Sequence, residues 1–271
     1  MPEDSIRFLG TAGARFVMAR QLRSSAGTFV CLRGVRLVLD PGPGTLARCA
    51  AVEPPVVPTS LDAVLLTHSH IDHSGDINAV LDAMTLGGFR PRGRLYAPRE
   101  CLEGEDPVVL RYVRKGLEEI VELEGGKTYA IPPAADRPGE SLAFSTSAPH
   151  RHSTETYGLL LRPQDGPTVG FLADTEYWEG LAAAYADADV LVVNVVRHEP
   201  YREARILHLC LEEVRQVVEQ VRPRMTVLTH FGVTMLEAGP EDVARDLGAE
   251  LGLEVTAATD GMLLPLDELS A

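Results

Sequence analysis

Three histidines and an aspartate fall within six residues, at His68, His70, Asp72 and His73, in the stretch VLLTHSHIDHSG. The chain has only eight histidines, so their clustering calls for a shared task. Imidazole is the commonest metal ligand at neutral pH. Helical metal motifs space their histidines at i and i+4. These are spaced by two and by three, which suits a turn after a strand: His68 and His70 reach one ion, and Asp72 and His73 point to a neighbouring one. Each divalent ion needs about 4–5 donors, one position being left for water. Further donors stand in similar settings: His150 and His152 in APHRHSTETYG, Asp174 in VGFLADTEYW and His230 in TVLTHFG. An acid or imidazole at the exit of an apolar strand is costly unless it is paired, hydrated or bound. Asp174 as a helix N-cap and His230 as an incidental loop residue are the competing readings. Paired cations lower the pKa of a shared water and supply hydroxide near neutral pH, which is the chemistry of hydrolysis.

Strand-like and helix-like segments alternate through the elements that must carry these residues. SIRFLG, GTFVCLR and VRLVLD read as strands, the last two joined by a tight turn, and PGPGT ends the series. LDAVLLT reads as a buried strand, the histidine cluster follows it, and DINAVLDAM is a helix. In the second half LAFSTSA, YGLLLR, TVGFLA, DVLVVNV, MTVLTH, LEVTAA and MLLPL read as strands, while LEEVRQVVEQV and PEDVARDLGAELG read as helices. The expected architecture is a single domain over 1–271 with two α/β halves, their sheets face to face and helices outside. A helical insertion is expected near 89–127.

Composition narrows the partners. The formal net charge is −14, without the overall basic footprint of a nucleic-acid binder. No apolar run approaches the ~18 residues of a membrane span. The opening MPEDSIRFLG has no basic flank leading into an apolar stretch, so no secretory signal is expected and the location is read as cytoplasmic. Cys31, Cys49, Cys101 and Cys210 are scattered, with no CxxC pair, and read as buried thiols.

HxHxDH followed by a separate His, an Asp and a last His resembles the metallo-β-lactamase superfamily. The resemblance implies a four-layer αββα sandwich with two divalent cations, zinc first and manganese or iron as alternates. It assigns His68, His70 and His152 to one cation and Asp72, His73 and His230 to the other, with Asp174 bridging. His152 is preferred to His150 because it stands six residues before Gly158, the spacing of that ligand in the branch this chain resembles.

IRFLGTAGAR and VRLVLDPGPGT are similar to the opening of ribonuclease Z and its phosphodiesterase relatives. Asp40 is then expected as a buried polar support under the metals. His208, in LHLCLEEV, stands where those enzymes carry the histidine that protonates the leaving group; Asn194 replaces the usual glutamate near it. His198, in VRHEP, is read as uninvolved. Asp72 and His208 are the expected catalytic residues. Arg20 and Arg23 are placed near the mouth by the resemblance alone. The implied activity is hydrolysis of a small phosphodiester, cyclic ones included, by a metal-bridging hydroxide. A tRNA substrate is disfavoured by the charge and by the acids mixed into 89–127; a homodimer is left open. The alternatives are ester, thioester or lactam hydrolysis on the same metals, and a non-catalytic metal-binding protein. Iron-dependent oxygen reduction is disfavoured because relatives that perform it carry Glu where this chain has His70.

Overall fold

The computed structural model describes residues 4–267, except 26, 135, 136, 138 and 202. Strands β1 (Ser5–Phe8), β2 (Thr28–Leu32), β3 (Val35–Leu39), β4 (Ala63–Leu65), β5 (Arg94–Pro98) and β6 (Glu119–Leu123) belong to one sheet. A second sheet contains β7 (Thr128–Ile131), β8 (Leu142–Thr146), β9 (Leu159–Arg162), β10 (Val169–Leu172), β11 (Val190–Asn194), β12 (Met225–Thr229) and β13 (Glu254–Ala257). The last strand, β14 (Leu263–Pro265), returns to the first sheet beside β1. The strand orders are β14-β1-β2-β3-β4-β5-β6 and β13-β12-β11-β10-β9-β8-β7.

Side-chain alternation along each strand decides the layers. In β3, Leu37 and Leu39 face the other sheet while Val38 faces helices; in β11, Val190 and Val192 face inward while Leu191 and Val193 face helices. The central core therefore draws on both sheets, with Phe8, Leu37 and Leu65 from one and Phe144, Phe171 and Val227 from the other. Outside the first sheet, the helix Ile77–Met84 buries Ile77, Val80, Leu81 and Met84. Outside the second, Leu211–Val221 and Pro240–Leu251 bury Val214, Val217, Val218, Ala244 and Leu247. The result is the expected αββα sandwich. Strands buried on both faces read as unbroken apolar runs, as AVLL and VLVV do here. The β2–β3 turn has positive φ at both Arg33 and Gly34, matching the twist a two-residue hairpin loop needs.

The segment 89–127 corrects one expectation. It carries β5 and β6, which extend the first sheet in parallel, with only two short helices, Arg99–Glu103 and Arg111–Arg114. Its charged residues masked the strands: β6, EIVEL, is an edge strand, and four of its five side chains remain at least partly exposed. No helix among the described residues is long and apolar enough to cross a membrane.

β3 to β6 run parallel to one another, as do β10 to β13. Loops leaving the carboxyl ends of parallel strands are where open α/β sheets place ligands. Asp40 follows β3, His68 follows β4, Asp174 follows β10, Asn194 ends β11 and His230 follows β12.

Candidate metal centre

Among the described residues, two groups of donors hold the expected ligands at this edge, and a third, Asp40 with His68 and His73, overlaps both. Of the two, one comprises His68, His70, His152 and Asp174, the other Asp72, His73 and His230; within each group the donor atoms lie within 4.8 Å of one another. Every residue expected as a ligand is in one of the two. The HxHxDH stretch reaches both because it changes conformation midway. His70 ends the extended segment, and a one-turn helix, Ile71–Ser74, swings Asp72 and His73 toward the second group.

Hydrogen bonds behind the rings set which nitrogen faces inward. Thr67 Oγ1 donates to Asp40 Oδ2 at 2.6 Å and so accepts from His68 Nδ1 at 2.9 Å, leaving His68 Nε2 as a lone pair. His73 Nδ1 donates to the same Asp40 oxygen at 2.9 Å, and His152 Nδ1 donates to the Leu207 carbonyl at 2.9 Å. Asp40 Oδ1 accepts the Thr67 backbone N–H at 2.7 Å. Such outer partners fix ring tautomer and orientation at metal sites. Asp40 thus holds two of the three HxHxDH histidines, in the supporting place expected for it, from a backbone with φ +49°.

Asp174 lies between the groups. Its Oδ2 is 3.3 Å from His73 Nε2, 3.8 Å from His68 Nε2 and 3.5 Å from His208 Nδ1; its Oδ1 is 3.4 Å from His230 Nδ1. Asn194 Nδ2 donates to Oδ1 at 2.9 Å. Asn194 therefore orients the carboxylate that faces both groups, a role its position at the end of β11 did not signal.

The donor set fits divalent cations. Among the donors, His68 Nε2, Asp174 Oδ2 and His230 Nδ1 are buried without a hydrogen-bond partner. Leaving such atoms bare costs about 1–3 kcal/mol each, more for a charged group. His73 Nε2 approaches His230 Nε2 to 2.9 Å, and His70 Nδ1 approaches His152 Nε2 to 3.0 Å. Two imidazole lone pairs that close repel unless a proton or cation lies between them. Donors about 2.1 Å from one ion stand roughly 3.0–3.4 Å apart, close to the spacing of these two histidine pairs.

The electrostatics differ between the two groups. Burial, reinforced by His73, pushes the His68 pKa well down, and burial pushes His152 down to about 4. Both rings are held neutral, the form that binds metal. Burial disfavours charge on Asp174, but His230, His208 and His73 outweigh it and keep the carboxyl well below its usual range. Burial likewise opposes a proton on His73, yet Asp174, Asp40 and Asp72 outweigh it and raise its pKa well above the ordinary value.

His150 is turned away from the donors. Its Nδ1 donates to the Asp174 carbonyl at 3.2 Å and its Nε2 accepts from Tyr185 Oη at 3.0 Å. His208 sits two residues before the N-cap of Leu211–Val221, so it precedes that helix and does not open it. The turn that carries His208 also supplies the Leu207 carbonyl to His152. Arg23 is tied to Thr11, the Ala258 carbonyl and Glu241, with its guanidinium 5.8 Å from the Phe231 ring. Arg20 is exposed at the end of the helix Ala14–Arg20. The His198 N–H donates to Thr234 Oγ1, and His198 joins neither donor group.

Two glycines allow the loops to close on the site. A Cβ at Gly13 would lie 2.1 Å from the His230 carbonyl oxygen and 2.5 Å from its Nδ1; a Cβ at Gly42 would lie 1.9 Å from the Asp72 carbonyl oxygen. His230 itself adopts φ +59°, a left-handed conformation costing a non-glycine residue about 1–3 kcal/mol and concentrated at functional sites.

The profile of a family described as the beta-lactamase superfamily domain matches residues 35–231. An uncharacterized protein of Methanocaldococcus jannaschii is 26% identical over 267 residues, covering 96% of this chain and 94% of its own. Ribonuclease Z of Methanopyrus kandleri is 26% identical over 279 residues, covering 96% of each. Among solved structures, a diphosphatase from the PhnP family superposes with a TM-score of 0.67 at 21% identity, covering 96% of each chain.

Proposed function

Since the chain belongs to the beta-lactamase superfamily and has the metallo-β-lactamase fold, we propose that it is a binuclear metal-dependent hydrolase cleaving a small phosphodiester. His68, His70 and His152 would hold one cation, Asp72, His73 and His230 the other, and Asp174 would serve both. Divalent cations there, zinc first, would acidify water and neutralise charge on phosphoryl oxygens. The remaining tasks fall to the chain. Asp40 and Thr67 keep the imidazole lone pairs of His68 and His73 aimed inward, Asn194 holds the Asp174 carboxylate, and burial shields His68, His73, Asp174 and His230 from bulk water.

His208 carries the phosphodiester reading. It belongs to neither donor group, yet its ring lies 5.1 Å from that of His152 and 6.3 Å from that of His230. With Nδ1 held toward Asp174, Nε2 is the nitrogen left to give a proton to the departing oxygen. A thiolate leaves without a proton, whereas an alkoxide, from a phosphodiester or a carboxylic ester, or a lactam's amine is too basic to do so, so a proton donor here argues against a thioester. The ribonuclease Z relative and the fold shared with a diphosphatase support phosphorus as the electrophile. A small diester is favoured over tRNA because residues 89–127 add two strands to the first sheet and mix acids among their basic residues, and because the net charge is −14.

The test uses His208→Ala loaded with zinc or manganese. It should keep both metals and lose about 10²–10⁴-fold on an alkyl phosphodiester, but far less on bis(p-nitrophenyl) phosphate, whose leaving group needs no proton. Equal losses on both substrates would remove His208 as proton donor. A wild-type protein that hydrolyses thioesters or lactams and no phosphodiester would favour the carbonyl alternative. Two bound metals with no hydrolysis across the panel would favour a binding protein.

A further inference from the structure

Glu100 and Glu155 form a reciprocal pair outside both donor groups. Glu100 lies in the short helix after β5, and Glu155 lies in the β8–β9 loop three residues past His152. The Glu100 N–H donates to Glu155 Oε2 at 3.0 Å, and the Glu155 N–H donates to Glu100 Oε2 at 2.7 Å. The other two oxygens are also engaged. Ser69 Oγ donates to Glu100 Oε1 at 3.1 Å, and Tyr157 Oη donates to Glu155 Oε1 at 2.6 Å. Two carboxylates side by side repel, so the arrangement depends on these donors. Ser69 stands between His68 and His70. The pair therefore ties the loop of His68 and His70 to the loop of His152, through a helix that supplies no ligand. Ser153, on the same loop, adds a contact from its Oγ to His70 Nε2 at 3.1 Å.

We infer that Glu100 and Glu155 are positioning residues that fix the separation of these two loops and so set the affinity of one cation position selectively. The inference rests on reading the two donor groups as cation positions. None of the four bonds touches Asp72, His73 or His230. That group is braced instead by Asp40, by β12 and by the close approach of Gly13.

The experiment measures stepwise zinc affinities by chelator competition on the full chain, with metal-free melting curves and circular dichroism alongside. His152→Ala and His230→Ala mark which step belongs to which position. Glu100→Ala and Glu155→Ala should each weaken the position that His152→Ala empties by about 10–100-fold, the usual effect of losing an outer partner, and leave the other within about twofold. The double variant should be weaker than either single one at that same position, because each side chain accepts a bond from the other residue's backbone N–H and a single replacement leaves one of the two reciprocal bonds in place. Glu100→Gln, which keeps one acceptor oxygen, should fall between Glu100→Ala and wild type. If an alanine variant fails to fold, Glu100→Gln and Ser69→Ala carry the same comparison. Equal weakening of both positions, or unchanged affinities, would overturn the inference. Wild-type protein that takes up fewer than two ions would instead overturn the two-cation reading beneath it.

Discussion

Replacing Asn194 by alanine removes the donor that holds Asp174 Oδ1 at 2.9 Å and leaves that oxygen facing His230 Nδ1 at 3.4 Å. A hydrogen bond to a charged acceptor contributes about 1.5–3 kcal/mol. At about 1.4 kcal/mol per tenfold, its loss corresponds to roughly 10- to 100-fold in metal affinity. Asp174 faces both donor groups, so both stepwise affinities should fall, unlike the selective loss expected at Glu100. Asn194→Asp sharpens the comparison. It sets a second carboxylate about 3 Å from Asp174, which costs up to roughly 5 kcal/mol at an effective dielectric near 20 unless the pair shares a proton. The metal-free variant should therefore melt below wild type and gain more in melting temperature when zinc is added. Chelator competition and calorimetric melting, each with and without metal, supply both readouts. A folded Asn194→Ala protein with both affinities unchanged would refute Asn194 as the residue that orients Asp174.

Three other outcomes are expected. His152→Ala should lower metal affinity more than His150→Ala, whereas His150→Ala should mainly lower stability, because it removes the braces on Tyr185 and the Asp174 carbonyl; elemental analysis beside melting curves separates the two, and the reverse order would exchange their roles. Gly13→Ala should lose metal first at the position marked by His230→Ala, because its Cβ would fall 2.1 Å from the His230 carbonyl oxygen; two zinc ions retained at wild-type affinity would contradict that close approach. The thiols of Cys31, Cys49, Cys101 and Cys210 should resist alkylation in the native protein at pH 8, since all four are buried and burial raises each pKa, that of Cys49 to about 11; rapid labelling of any one without denaturant would show that its cover opens.

The two buried sheets and the donor residues were legible in the sequence because each leaves a local mark. A strand covered on both faces must be apolar at every position, as VLVV is, and an imidazole or carboxylate at its exit needs a partner. The HxHxDH spacing is local too, since a few consecutive residues must serve two neighbouring groups. Strand β6 left no such mark. Its neighbour β5 makes EIVEL a strand, and an edge with exposed side chains has no apolar pattern to reveal it. The partners behind the donors were equally hidden. Asn194 reaches Asp174 across 20 positions, the Leu207 carbonyl reaches His152 across 55, and Glu100 meets Glu155 across 55. A backbone carbonyl has no residue type to read, and glutamate is ordinarily a surface residue. The sequence determines which residues can bind a cation, because that is the chemistry of side chains. The tertiary structure alone decides which nitrogen each ring presents and which loops are locked together, because a hydrogen bond depends on distances that exist only once the two sheets have closed on each other.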